Sequence, residues 1–207
     1  MKRRASQGRP SGERGQGLVE FALIMPILMI LFMGIIEVAL MFNAYVGLNR
    51  ASQDGAHVAA TLGNQTGADC LILTGIESDV TVPNNVARIN WVDIELTSMA
   101  GNVVYLKQRW VRDSAITPTT CTLPDGTSTT VPYRLDVAGY PETQRCSVLA
   151  GCPALTPARS TVDNIGVSIN YRHRWATPLN AVYDFFGGGD AGWTFTQRNI
   201  FRMEPTL

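Results

Sequence analysis

Histidine is scarce in this sequence: His57 and His173 are the only imidazoles, and neither stands at metal-ligand spacing from other donors. The four cysteines contain no C-x-x-C pair, so neither a zinc site nor a thiol redox motif is indicated. A nucleophile elbow, a Walker loop and a paired-carboxylate signature are all missing. Gly187-Gly188-Gly189-Asp190 has the glycines of a phosphate loop without the Lys-Ser/Thr and helix that follow one, and a hairpin connection accounts for it. These absences speak against an enzyme and predict no catalytic residue, no metal and no cofactor. There is no internal repeat and no net charge, since 17 basic residues balance 17 acidic ones.

That balance conceals an asymmetry around the longest apolar run, Leu18 to Phe42. Ahead of it, residues 1–17 hold five basic side chains against Glu13, a charge of +4; the remainder carries −4. The run contains fifteen Leu, Ile, Val and Phe residues. At roughly −0.5 kcal/mol each on an insertion scale, they outweigh two glutamates near its ends. A helix rising about 1.5 Å per residue crosses a hydrocarbon layer of about 30 Å with such a run. Pro26 and Gly34 interrupt it, and both are tolerated within membrane helices.

The positive-inside rule keeps the short N-terminal tail in the cytoplasm and sends the larger C-terminal part across. That part has no excess of cations for phosphates, which argues against a nucleic-acid partner. A secretory signal has a shorter core of about 7–15 residues and a small-x-small end. The nearest candidate here, Phe42-Asn43-Ala44, has a bulky phenylalanine. Arg3-Arg4-Ala5-Ser6 lacks the hydrophobic residue that follows a twin-arginine pair.

Two acids mark the run's ends. Glu20 lies at its inner edge, where a desolvated carboxylate seeks a cation, water or the headgroup layer. Glu37 lies 19 residues beyond Leu18, roughly 28 Å along a helix and thus at the far interface. Solvation by headgroups is its expected state; a packing contact with another subunit is the alternative.

Beyond the span, Ala44, Val46 or Gly47, Ala51, Gly55, Val58, Ala59 and Leu62 fall at roughly helical spacing, so the helix is expected to continue as a stalk. Its small residues suit close approach of a neighbouring helix or of its own domain. Gly63-Asn64 and Gly67 supply a stop. From Cys70 onward the pattern reads as alternating. Ile89–Leu96 and Val103–Val111 read as neighbouring strands with Gly101-Asn102 near their connection. Ile165, Val167, Ile169, Tyr171, His173 and Trp175 alternate with polar residues and glycine, and 193–201 reads as a closing strand. Arg172, His173 and Arg174 read as a solvated strand face, and Thr117 to Pro157 as mainly loop.

The expected fold is α+β: a long N-terminal transmembrane and stalk helix followed by a small antiparallel β-rich ectodomain. Cys70, Cys121, Cys146 and Cys152 all follow the span, where an oxidising compartment favours two disulfides with three possible pairings over free thiols or metal.

The string Gly15-Gln16-Gly17-Leu18-Val19-Glu20-Phe21 resembles the type IV prepilin processing motif, and its Glu-Phe pair resembles the Flp and Tad branch. The whole segment GQGLVEFALIMPILMILFMG is similar to the N-terminus of TadE-like proteins, minor pilins or pseudopilins of tight-adherence pilus systems. Asn49 to Ala60 is similar to that family's downstream small-residue helix, with His57 where the family commonly has arginine. Ala176-Thr177-Pro178-Leu179 and 201–205 are similar to its ectodomain ends. The Asp-x-Ser-x-Ser string of larger TadG-like relatives is missing.

The resemblance implies cleavage by a prepilin peptidase between Gly15 and Gln16, with Glu20 and Phe21 as recognition residues. Glu20 then stands fifth in the mature chain, where it neutralises the Gln16 amine of an adjacent subunit. It implies a leader at 1–15, a transmembrane helix at 16–42, a stalk at 43–66 and a periplasmic ectodomain at 67–207. The expected setting is a bacterial inner membrane with possible incorporation into an extracellular pilus. The expected partners are the membrane, the prepilin peptidase, pilin and pseudopilin subunits and the Tad assembly platform. The competing reading is a permanently anchored periplasmic binding module or secretion-channel accessory protein.

Overall fold

A computed structural model describes residues 13–81, 84–112, 117–148, 152, 161–185, 187–188 and 192–203. In chain order the elements are α1 (Glu13–Leu62), α2 (Ala68–Asp79), β1 (Ile89–Thr97), β2 (Val104–Arg112), β3 (Thr119–Thr122), β4 (Ser128–Val131), β5 (Tyr133–Ala138), β6 (Asn164–Arg174), α3 (Leu179–Phe185) and β7 (Gly192–Arg202). The α+β expectation is met by a long apolar helix followed by a small antiparallel sheet domain. The chain divides into two compact units, one comprising residues up to Ala39 with Trp175–Ala191, the other Leu40–Arg174 with the residues from Gly192 on.

α1 is unbroken over 50 residues, and Pro26 lies inside it without ending it. Its stop is the expected one. Gly63 adopts φ +62°, a left-handed conformation that costs glycine little, and its N–H donates to the Ala59 carbonyl at 3.3 Å.

In the larger unit the sheet runs β5-β2-β1-β6-β7 with every neighbouring pair antiparallel. Val92, Ile94 and Leu96 of β1 stand opposite Ile169, Val167 and Ile165 of β6, and these rows belong to the core. Ala44, Leu48, Ala51, Ala56 and Ala59 of α1 and Ile72, Leu73 and Ile76 of α2 complete that core. Each fully buried Ile or Leu contributes about 1.5–3 kcal/mol. Small residues let α1 approach closely: a Cβ at Gly55 would sit 3.0 Å from Ile76 Cγ1 and 3.5 Å from Val167 Cγ1. The Ser52 hydroxyl donates to the Val167 carbonyl at 2.7 Å, so the one polar group in this stripe is satisfied. The stalk stripe thus serves its own domain.

The strands expected at 89–96, 103–111, 165–175 and 193–201 all form, within a residue or two of their ends. Gly101, at φ +72°, turns the chain between β1 and β2, where a Cβ would overlap Ile200. Three expectations are corrected. The alternation read from Cys70 is a helix, α2, because Ala68, Ile72, Leu73 and Ile76 recur at helical spacing and all are buried. The stretch read as loop holds the β3–β4 hairpin and the edge strand β5; part of it, including 153–157, lies outside the described residues. A short helix, α3, forms where no element was read.

Candidate functional site

Gly15, Gln16, Glu20 and Phe21 lie in the first turns of α1. Gln16 Nε2 donates to Glu20 Oε1 at 3.1 Å, the i,i+4 contact that helical spacing provides. Phe21 is 60% exposed, and no heavy atom lies within 4 Å of a Cβ built at Gly15 or Gly17. The Gly15–Gln16 bond is helical but flanked by two glycines, each about 1 kcal/mol poorer than alanine in a helix. The first turn therefore opens here at least cost. From Leu18 to Val38 the large apolar side chains are mostly exposed, and among the described residues one helix is long and apolar enough to cross a membrane.

Glu37 occupies neither of its expected environments. It is 5% exposed, and its carboxylate accepts the Ala176 N–H at 3.1 and 3.2 Å and the Thr177 N–H at 3.0 Å. Hydrogen bonds to an ionised acceptor contribute about 1.5–3 kcal/mol each. These partners come from its own chain. Trp175, just before this turn, stacks on Tyr183 with ring centroids 6.3 Å apart. Gly187 and Gly188 then close α3: their N–H groups donate to Asp184 and Tyr183 carbonyls at 3.0 Å. The first two glycines of the Gly187–Asp190 string are thus a helix stop rather than a hairpin connection; Gly189 and Asp190 lie outside the described residues.

In the larger unit, Arg145 is fully buried and pairs with Asp69, which also accepts from Gln108 Nε2. Glu142 caps the start of α2 by accepting the Gly67 N–H at 2.9 Å. Tyr140 Oη donates to Asp163 at 2.7 Å, and the same carboxylate accepts the Cys146 N–H at 2.9 Å. This network ties α2 to the segment before β6. No sequence pattern marked it, because its members are far apart in the chain and only Asp69 lies on a recognisable face.

The sheet face opposite the core is polar. Arg109 forks onto Asp93 at 2.6 and 2.7 Å and lies 4.1 Å above the Trp91 ring. Glu95 pairs with Arg198 at 3.2 Å, yet burial pushes its carboxyl above the usual range. The Asp93 contact raises the Arg109 guanidinium, and burial raises the Tyr133 phenol. Asp93 and Glu95 are thus paired with Arg109 and Arg198, whereas Tyr133 belongs to the core and its hydroxyl has no hydrogen-bond partner among the described residues.

Cys70 lies at disulfide distance from Cys121, and Cys146 from Cys152. The first pair joins α2 to β3. His57 meets Phe201 edge-on at 5.7 Å, whereas His173 is buried, so the Arg172-His173-Arg174 string is not wholly a solvated face. Among the described residues no cluster of three or more His, Cys, Asp or Glu side chains could hold a metal.

No curated protein and no solved structure matches the chain. A family model does match its N-terminal part. The match holds Gly15, Glu20 and Glu37 and ends at His57, so the similarity read near the C-terminus lies outside it. Residues 15–57 carry the pattern of the TadE-like protein family.

Proposed function

We propose that this chain is a structural minor pilin or pseudopilin that takes part in building a Tad, Flp-type pilus. The observation that carries the reading is a conjunction: the TadE-like match over residues 15–57 coincides with an apolar helix whose side chains are left bare and whose start holds Gly15, Gln16 and Glu20 together. On this reading a prepilin peptidase cuts after Gly15, with Glu20 and Phe21 as recognition residues. Residues 16–42 then span the inner membrane and later pack against pilin subunits. Glu20 neutralises the Gln16 amine of a neighbouring subunit, a pairing that low dielectric favours over leaving either charge alone. The stalk, 43–66, and the ectodomain, 67–207, lie in the periplasm. The chain performs no reaction of its own.

The test is pilus assembly in cells that carry the matching peptidase and pilin. Expression of Gly15→Leu, which blocks the cut, and of Glu20→Ala is expected to abolish or strongly reduce pili, while Glu20→Asp retains some. Normal pili with both of the first two variants would remove the proposal and leave the anchored-module reading.

A further inference from the structure

The turn pinned by Glu37 brings an aromatic cluster to the level at which α1 would leave the hydrocarbon layer. Ala176 and Thr177 donate their backbone N–H groups to that one carboxylate. Trp175 is therefore held next to the last exposed apolar turn of the smaller unit, where Ile35, Ile36 and Val38 are each more than half exposed. Tyr183 stacks on Trp175 and is itself 50% exposed, and Phe185 is 84% exposed. The turn is built, not loose: Gly188 closes α3 onto the Tyr183 carbonyl, and a Cβ there would overlap the Tyr183 ring.

A phenol and a phenyl ring beside exposed apolar surface suit the boundary between headgroups and acyl chains, where amphipathic rings collect; Trp175, half-buried with its indole N–H enclosed, backs them. We infer that Tyr183 and Phe185, backed by Trp175, form a lipid-contacting collar that rests in the outer headgroup layer of the bilayer α1 crosses and fixes the depth of the helix. The inference rests on the reading of α1 as a membrane span. Its consequence is registration: Glu20 lies 17 residues before Glu37, about 26 Å along the helix. A collar seated at the outer face thus holds Glu20 and the Gly15–Gln16 bond at the inner face. A bilayer is favoured over a protein partner because Glu37 holds the turn that follows Trp175 against the same stretch of α1 whose apolar side chains are left bare.

The experiment reconstitutes the full chain in phosphatidylcholine vesicles whose acyl chains are brominated either near the headgroup or near their ends. Two single variants, Phe185→Trp and Phe32→Trp, each add an indole whose emission is read against the parent protein. The emission added by Phe185→Trp is expected to lose most of its intensity to bromine near the headgroup, and little to aqueous acrylamide. That added by Phe32→Trp is expected to be quenched by the deep bromine. Quenching of the Phe185→Trp signal by acrylamide alone overturns the collar while the Phe32→Trp result stands for the span. Shielding of that signal from both quenchers only at high protein-to-lipid ratio also overturns it, in favour of a second protein. Loss of deep quenching at Phe32→Trp removes the span and the collar with it.

Discussion

The carboxylate of Glu37 accepts the backbone N–H of Thr177 at 3.0 Å, a contact that joins positions 140 apart in the sequence. The acid near the far end of the apolar run is thus matched by its own chain. Glu37→Ala removes charge-assisted bonds that contribute about 1.5–3 kcal/mol each. Amide exchange at Ala176 and Thr177 is expected to speed up about 10- to 100-fold, with Glu37→Gln between the variant and the parent. Unchanged exchange at both amides would contradict the assignment.

Arg145 and Asp69 predict a different kind of loss. Removing one member of a buried pair leaves the other charged and unpaired, at a cost of about 3–5 kcal/mol. Arg145→Ala is expected to lose that much in denaturant melts of the detergent-solubilised protein. Combining Arg145→Met with Asp69→Asn is expected to recover much of it. A double variant as unstable as the sum of the two single ones would mean that the pair does not act as a unit.

The cysteine pairs are separated by 51 and 6 residues. The chain-entropy relation assigns about 4 kcal/mol to the longer loop and about 2 kcal/mol to the shorter. The double variant Cys70→Ser, Cys121→Ser is therefore expected to destabilise the sheet domain about twice as much as Cys146→Ser, Cys152→Ser. Peptide mapping without reduction is expected to return the same two pairs. Four alkylatable thiols in unreduced purified protein would refute the crosslinks.

Glu95 gives stability a pH dependence of its own. Its carboxyl is raised chiefly by burial, with the Arg198 contact opposing, so the folded chain holds the proton more tightly than the unfolded one. The contribution is full below the unfolded pKa and is lost as pH rises through the folded pKa. Between pH about 4 and 7, the stability of Glu95→Gln is therefore expected to gain on that of the parent. A gap that moves toward the parent as pH rises would reverse the sign.

Strands were legible wherever one face is apolar at period two. In β6, Ile165, Val167, Ile169 and Tyr171 are all buried, and the alternation alone placed them. α2 was misread because Cys70, Ile72, Thr74 and Ile76 also alternate; Ala68 and Leu73, both buried, complete the helical set and decide against a strand. The β3–β4 hairpin was hidden by its threonines, whose polar side chains, half-buried or exposed, leave no hydrophobic row. At the candidate site, Gly15, Gln16, Glu20 and Phe21 form one local string, which is why the sequence alone can nominate them. The partner of Glu37 was not, since two backbone N–H groups carry no residue-type signature and are contributed from the far end of the chain.

The most direct test of the central claim, that this helix is a processed pilin-type segment, is the N-terminal sequence of the protein purified from membranes of cells containing the matching peptidase. The account predicts a mature chain beginning at Gln16, and an uncut chain in the Gly15→Leu variant. An intact Met1, or a lipid-free product beginning near Tyr45, would contradict it.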